Sequence, residues 1–301
     1  LEKLYNKLCN RYSRYEVWQD MVVMIACSIA NALDKRHFDE RETMYMRAVQ
    51  KYDKDELAVF PEFFSHIVLG MEENPDCDFL GELYMGLELG NKYAGQFFTP
   101  YSVCRLMAEI SIDPVLTEKH IKEHGYISIN DCACGAGATL VAAANILRQR
   151  GINYQKQALF IAQDIDYTVG LMCYIQLSLL GCAGYVHIGN TLTDPMTGPV
   201  LYGDGKDTTW YTPMYFSERW SALRAIENVK RLFSAVATNF PPSEATKPIT
   251  NMTESESSGK ADSGPSSGSA SEKAEQNPEE SCQPTFTIST KKKNKGQLMF
   301  D

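Results

Sequence analysis

The chain has no apolar run of membrane length and no disulfide framework. The apolar stretch at residues 21–30 is about half of the roughly 20 residues that a membrane-spanning helix needs, so we expect a buried helix there. The nine cysteines are odd in number and show no framework spacing, which is typical of reduced thiols in a cytoplasmic protein. Cys132 and Cys134 have no second pair of ligands at fitting spacing, so we predict no metal site.

The chain also lacks a surplus of positive charge. It carries 29 Lys and Arg against 38 Asp and Glu, for a formal net charge of −9. Phosphate neutralisation by Lys and Arg supplies most non-specific affinity for DNA, so this balance argues against a protein that holds DNA unaided. It does not exclude a local basic cleft.

Two complete nucleotide-binding signatures are missing as well. There is neither a three-glycine dinucleotide pattern nor the Lys-Ser/Thr of a phosphate loop. Instead, residues 131–140 read Asp-Cys-Ala-Cys-Gly-Ala-Gly-Ala-Thr-Leu, between a β-prone run at 126–129 and a strong helix former from Ala138. Gly135 and Gly137 would let the backbone turn sharply and let a ligand approach closely, so the loop suits a nucleoside cofactor of little charge.

Two further strand-like runs follow this loop. An apolar run at 158–162 ends in Gln163-Asp164-Ile165-Asp166, and a third at 185–188 ends in Gly189-Asn190, with a helical segment between them. An acid at the carboxyl end of the second strand can accept from both hydroxyls of a ribose. Three strand–helix steps in order predict an α/β fold with a parallel sheet and right-handed crossovers.

These motifs together carry a family resemblance. Gly95-Gln-Phe-Phe-Thr-Pro100, the 131–137 loop, Gln163-Asp164-Ile165-Asp166 and Gly189-Asn-Thr-Leu192 resemble, in kind and order, the modification subunit of type I restriction-modification systems. The resemblance covers about residues 78–195. It implies an S-adenosylmethionine-dependent adenine-N6 DNA methyltransferase with the Rossmann-like class I fold. It also implies DNA and a separate specificity subunit as partners.

The resemblance implies a role for each matching residue in holding the cofactor. Three residues would close over its methionine end, with Asp131 near its amino group: Phe98, Thr99 and Pro100. Gly135 and Gly137 would form the floor of the pocket. Asp164 would take the ribose hydroxyls, Ile165 would pack on the adenine ring, and Asn190, where the family usually has aspartate, would contact the adenine.

The catalytic motif of that family is not intact in this sequence. The family uses an Asn/Asp-Pro-Pro-Tyr/Phe loop that accepts hydrogens from the adenine amine and stacks on the extruded base. Thr212-Pro-Met-Tyr215 keeps one proline and the aromatic residue, whereas Asn239-Phe-Pro-Pro242 keeps the amide and both prolines, Pro241 and Pro242, around an inserted Phe. The competing interpretation is a proline-rich turn at the end of the ordered domain.

The sequence predicts three regions. Residues 1–90 show helical periodicity and should form a helical domain, residues 91–250 should form the methyltransferase-like domain, and residues 251–301 should be a disordered tail. About sixty residues separate Asn190 from the tail, too few for a complete sheet, so we expect a curtailed one.

The tail ends in a second recognisable segment. Gln297-Leu298-Met299-Phe300 resembles the short peptide by which bacterial DNA-processing proteins dock on the replication sliding clamp. The predicted function is therefore adenine-N6 methylation of DNA in a restriction-modification or mobile-element system, with a degenerate catalytic loop. The alternative is a non-catalytic cofactor-binding scaffold of a mobile DNA element that docks on the replication machinery through this peptide.

Overall fold

The computed structural model describes residues 2–90, 98–239 and 297–300, with residues 234–239 and 297–300 described by backbone alone. The chain begins with six helices. Their bounds are α1 (Glu2–Leu8), α2 (Arg14–Leu33), α3 (Phe38–Val49), α4 (Lys54–Leu57), α5 (Val59–Glu73) and α6 (Phe79–Gly86).

Helix α2 contains the apolar stretch predicted to be buried, and the structure confirms that prediction. Its first turn is capped by Ser13, whose hydroxyl accepts from the backbone N–H of Glu16 at 3.2 Å. Trp18, Met21 and Val22 are each no more than 1% exposed. The side chains at three- and four-residue spacing thus form the inner face of the helix, as its periodicity indicated.

The second half of the described chain alternates helices and strands. The elements are α7 (Tyr101–Ser111), α8 (Pro114–His124), β1 (Ile127–Asp131), α9 (Ala138–Gln149), α10 (Tyr154–Gln157), β2 (Ala158–Asp164), α11 (Tyr167–Leu179), β3 (Ala183–Ile188), β4 (Thr209–Tyr211), a 3₁₀ turn (Pro213–Phe216), α12 (Glu218–Asn239) and β5 (Gln297–Phe300).

The strands form one five-stranded sheet in the order β4-β3-β2-β1-β5. Strands β1, β2 and β3 run parallel, with Asp131 opposite Ala162 and Asp164 opposite Ile188. Strand β4 pairs antiparallel with β3. The predicted α/β fold with a parallel sheet is therefore confirmed, and the carboxyl ends of β1, β2 and β3 lie side by side.

Strand β5 departs from the expected tail. It pairs in parallel with β1, Ser128 opposite Gln297 and Asp131 opposite Phe300. The end of the segment predicted to be disordered is thus a strand, because the edge of β1 offers unpaired backbone groups to an extended chain. The rest of that predicted tail, residues 251–296, lies outside the described residues.

The structure comprises two compact units. One unit comprises Leu1–Glu227 with Pro284–Asp301, and the other comprises Asn228–Gln283. The predicted boundary at residue 90 lies inside the first unit, because α2 packs directly on α11. Trp18 Nε1 lies 3.4 Å from Met172 Sδ across this contact, with both side chains fully buried.

Within the described ranges, no helix combines the length and the apolar character that crossing a bilayer requires.

Candidate cofactor-binding site

The loop between β1 and α9 depends on two glycines. Gly135 has φ +56° and Gly137 has φ +99°, in the region that favours glycine. A Cβ at Gly137 would lie 2.9 Å from Cys173 Sγ, so a side chain there would require Cys173 to move. A Cβ at Gly135 would meet only the Phe98 ring, at 3.6 Å. Gly137 is thus held by the core, whereas Gly135 lies next to Phe98.

Asp164 ties the end of β2 to this loop. Its carboxylate accepts from the backbone N–H of Gly135 at 2.8 Å and from that of Asp166 at 2.9 Å. Burial raises the pKa of Asp164, partly offset by these backbone hydrogen bonds. A carboxylate offers about four lone-pair sites, so Asp164 can still accept from a ligand diol.

Asp131 is more buried than its predicted role suggested. It is 7% exposed, and its carboxylate accepts from the backbone N–H of Ala133 at 3.1 Å and from the Thr139 hydroxyl. Burial raises the pKa of Asp131, with these two hydrogen bonds acting in the opposite direction. These contacts fix the start of the glycine loop, a structural role that the motif alone did not reveal.

The predicted cover of the pocket is described only from Phe98 onward, since residues 91–97 lie outside the described ranges. Phe98 stacks on Tyr84 of α6, with ring centroids 5.7 Å apart and planes at 25°. Thr99 and Pro100 are exposed and lead directly into α7. The Phe98 ring therefore lies between a helix of the N-terminal region and the glycine loop.

Ile165 and Asn190 follow the second and third strands. The Ile165 side chain is 68% exposed among the described residues, so it presents apolar surface next to Asp164. The Asn190 side-chain oxygen accepts from the backbone N–H of Leu192 at 2.9 Å. The structure thus brings the predicted residues from all three strands to one edge of the sheet.

Sequence reasoning missed the side chains that connect these loops. Gln163 is 1% exposed and donates to the backbone oxygens of Gly189 at 3.2 Å and Asp194 at 2.9 Å. The Thr191 hydroxyl donates to the carbonyl of Cys132 at 2.5 Å. A glutamine inside an otherwise apolar strand was the available signal, because a buried amide needs partners for its hydrogen bonds.

The structure describes the first candidate catalytic loop, Thr212-Pro-Met-Tyr215, completely. Tyr215 is 6% exposed, and its hydroxyl donates to Leu201 O at 2.9 Å. The backbone N–H of Thr212 donates to Gly184 O, near the start of β3 and thus at the opposite end of the sheet from Asp164. This placement gives no support to a contact between Tyr215 and a target base.

The other candidate lies largely outside the described residues. Asn239 is the last residue of α12, in the unit Asn228–Gln283, and its side chain is not described. Pro241 and Pro242 fall outside the described ranges.

Comparison with known proteins identifies the family. A family model for N-6 DNA methylase matches residues 77–258, more than half of the chain. The chain belongs to the N-6 DNA methylase family. S-adenosylmethionine is accordingly its cofactor, and the predicted family and class I methyltransferase fold are confirmed. The narrower resemblance to type I modification subunits stays a prediction.

Comparisons with solved structures and with curated proteins do not narrow the assignment further. One solved structure with a match is a Listeria monocytogenes protein described as a class I S-adenosylmethionine-dependent methyltransferase. It is 19% identical, the match covers 66% of this chain and 56% of that one, and the TM-score is 0.34. This chain therefore spans little more than half of that protein. No curated protein matches the chain.

The residues at the sheet edge fit the family cofactor. S-adenosylmethionine combines a ribose diol, an adenine ring and a charged methionine end, and the edge offers matching chemistry. The Asp164 carboxylate suits the diol, the exposed Ile165 side chain suits the ring, and the missing Cβ of Gly135 leaves room beside Phe98. Within the described ranges no cluster of three or more His, Cys, Asp or Glu side chains could hold a metal ion.

Proposed function

We propose that this chain is an adenine-N6 DNA methyltransferase of a restriction-modification or mobile-element system. One observation carries the proposal: Gly135, Asp164 and Ile165 are brought together at the carboxyl ends of parallel strands in a chain of the N-6 DNA methylase family. In open parallel sheets this edge is where ligands bind. When bound, S-adenosylmethionine supplies the methyl group.

Each residue of the edge has a proposed part in orienting the cofactor. Asp164 accepts from the ribose hydroxyls, and Ile165 packs on the adenine ring with Asn190 beside it. Phe98, Thr99 and Pro100 enclose the methionine end over Gly135. Asp131 holds the loop through Ala133 and Thr139 and contributes negative charge near the methionine amino group.

For the target base we propose Asn239, with Pro241 and Pro242, rather than Tyr215. A side-chain amide oxygen accepts a hydrogen of the adenine amine and stabilises positive charge developing on that nitrogen. The hydroxyl of Tyr215 already donates to Leu201 O inside the fold. The proposal for Asn239 rests on its residue type and the two following prolines.

Transfer of labelled methyl groups to unmodified DNA tests this proposal. We expect incorporation as N6-methyladenine, and we expect Asn239→Ala to lower the rate at least about tenfold, because one acceptor for the amine is lost. Cofactor affinity should be unchanged in that variant. Asn228→Ala, at an exposed position of the same helix, is the matched control and should keep the full rate.

Two results would count against the enzyme. Wild-type protein that transfers no methyl group, with or without a co-encoded specificity subunit, would favour the cofactor-binding scaffold instead. Equal rates for Asn239→Ala and wild type would remove Asn239 from the mechanism while leaving the enzyme in place.

We further propose two protein partners. A specificity subunit would supply the DNA contacts that a chain of net charge −9 lacks. The sliding clamp would bind Gln297, Leu298, Met299 and Phe300 as an extended peptide. The same four residues form β5, so clamp binding and pairing with β1 exclude each other.

A peptide of residues 291–301 tests the clamp proposal directly. It should bind purified bacterial sliding clamp in fluorescence anisotropy, and a Leu298→Ala, Phe300→Ala version should bind at least about tenfold more weakly, because two apolar anchors are lost. A peptide with Lys291 and Lys292 changed to alanine should keep most of the affinity. Absence of binding by the unaltered peptide would eliminate the clamp as a partner.

A further inference from the structure

A buried amide connects the N-terminal helical region to the glycine loop. Gln176 of α11 is fully buried, and its Nε2 donates to Asp78 Oδ1 at 2.7 Å and to Ala136 O at 2.8 Å. Its Oε1 accepts from the backbone N–H of Leu80 at 3.1 Å. Both hydrogens of the amide and its oxygen are therefore used, and they join α6, α11 and the loop between β1 and α9.

Asp78 is built into this junction by the start of α6. Its carboxylate caps the helix by accepting from the backbone N–H of Gly81 at 3.1 Å. A Cβ at Gly81 would lie 2.0 Å from Asp78 Oδ2, so the close approach of the carboxylate requires glycine at that position. Asp78 is 3% exposed, and burial raises its pKa. Gln176 thus donates to the Asp78 carboxylate, which the start of α6 already holds in place.

Helix α6 also holds the cover of the pocket. Its residue Tyr84 stacks on Phe98, whose ring lies beside Gly135. The floor of the pocket is attached to α6 through Ala136 and Gln176, and the cover is attached to it through Tyr84. One short helix and one amide therefore connect the two sides of the proposed cofactor site.

We propose that Gln176 is a positioning residue for S-adenosylmethionine, which sets the spacing between the glycine loop and the Phe98 cover. It acts through Ala136 and α6 and does not touch the cofactor. This inference rests on the proposed placement of the cofactor over Gly135.

The test compares two buried amides. Gln176→Leu removes the three hydrogen bonds at nearly constant volume, and Asn145→Leu is the matched control. Asn145 is also buried, and its Nδ2 donates to Pro75 O at 2.9 Å and Val141 O at 3.0 Å, without contacting the glycine loop. Stability without cofactor should fall in both variants, because each leaves buried polar groups unpaired.

Cofactor affinity separates positioning from simple support of the fold. Measured by calorimetry on the full chain well below both melting midpoints, the dissociation constant should rise about tenfold in Gln176→Leu and stay unchanged in Asn145→Leu, a difference of about 1.4 kcal/mol. An unchanged constant in Gln176→Leu, or equal weakening in both variants, would overturn the proposal.

A second variant covers the case in which Gln176→Leu does not fold. Gln176→Glu keeps the length and the acceptor for Leu80 but turns a carboxylate oxygen toward Asp78 and Ala136. Its cofactor affinity should improve as the pH falls through the pKa of the introduced carboxyl, because protonation restores one donor. Affinity no more sensitive to pH than that of wild type would contradict the positioning role.

The proposed cofactor placement can fail independently. If Asp164→Ala binds S-adenosylmethionine as wild type does, the placement itself is wrong. If Asp164→Ala loses binding while Gln176→Leu keeps it, the placement stands and only the role of Gln176 is lost.

Discussion

Replacing Asp164 by alanine should weaken S-adenosylmethionine binding about a hundredfold, because a hydrogen bond to a charged group contributes about 1.5–3 kcal/mol and a ribose offers two hydroxyls. The same carboxylate accepts from the backbone N–H of Gly135, so its loss also frees the glycine loop. Calorimetry gives the dissociation constant directly.

Thermal melting gives an independent measure. Cofactor at about a hundred times the wild-type dissociation constant stabilises the native state by about 2.7 kcal/mol, whereas a hundredfold weaker variant gains only about 0.4 kcal/mol. Asp166→Ala is the matched control, since Asp166 caps α11 by accepting from the backbone N–H of Val169 at 2.9 Å. It should lose about 1 kcal/mol of stability and keep the wild-type affinity. Equal affinities for Asp164→Ala and wild type would refute the assignment.

Arg41→Ala should lower the free energy of unfolding by about 3–5 kcal/mol, because removing one partner of a buried ion pair leaves the other charge uncompensated. Arg41 is 1% exposed and donates to Asp34 at 2.7 Å and to Thr209 O at 3.1 Å. Its guanidinium also lies 4.3 Å from the ring centroid of Trp210. Denaturant unfolding measures the loss.

Unfolding at acidic pH provides a second measurement of the interaction between Asp34 and Arg41. Burial alone would raise the pKa of Asp34, but hydrogen bonds from His37 and Arg41 outweigh it and hold that pKa below its usual range. This contribution to stability is present above the unfolded-state pKa and is lost as the pH falls through the folded-state pKa. Removing Arg41 takes away a hydrogen bond and a positive charge that lower the pKa of Asp34, so the variant should lose less stability on acidification than wild type does.

An exposed arginine serves as the control for charge removal. Arg11 pairs with Asp53 and Glu56 but is 63% exposed, so Arg11→Ala should lower stability far less than Arg41→Ala does. If Arg11→Ala and Arg41→Ala lowered the free energy of unfolding equally, the buried network around Asp34 would contribute no more to stability than an exposed ion pair does.

Local sequence patterns were sufficient to predict the parallel strands and the loops at their carboxyl ends. The strand-like runs and the glycine loop predicted β1, β2 and β3 and placed Asp164 at the carboxyl end of β2, because these features depend on local backbone preferences. The ends of α9 and α11 also follow a local signal, because Gly151 and Gly181, two residues beyond each helix, adopt positive φ angles.

Contacts between distant segments could not be predicted from local sequence patterns. The hydrogen bonds of Gln176 to Asp78 and of Arg41 to Thr209 join positions about 100 and 170 residues apart. No local pattern in the sequence encodes such partners. The pairing of β5 with β1 was missed for the same reason, since the polar stretch before it indicated only a disordered tail.

The burial of α11 has a practical consequence for dissection of this protein. Ten consecutive residues of that helix are buried, and part of their cover comes from Trp18, well upstream of residue 77 where the family match begins. A fragment starting at residue 77 would expose this apolar surface to water and should aggregate when expressed alone. Supplying the first 76 residues as a separate chain should rescue its solubility, because the leading helices cover the apolar surface of the family-matched region.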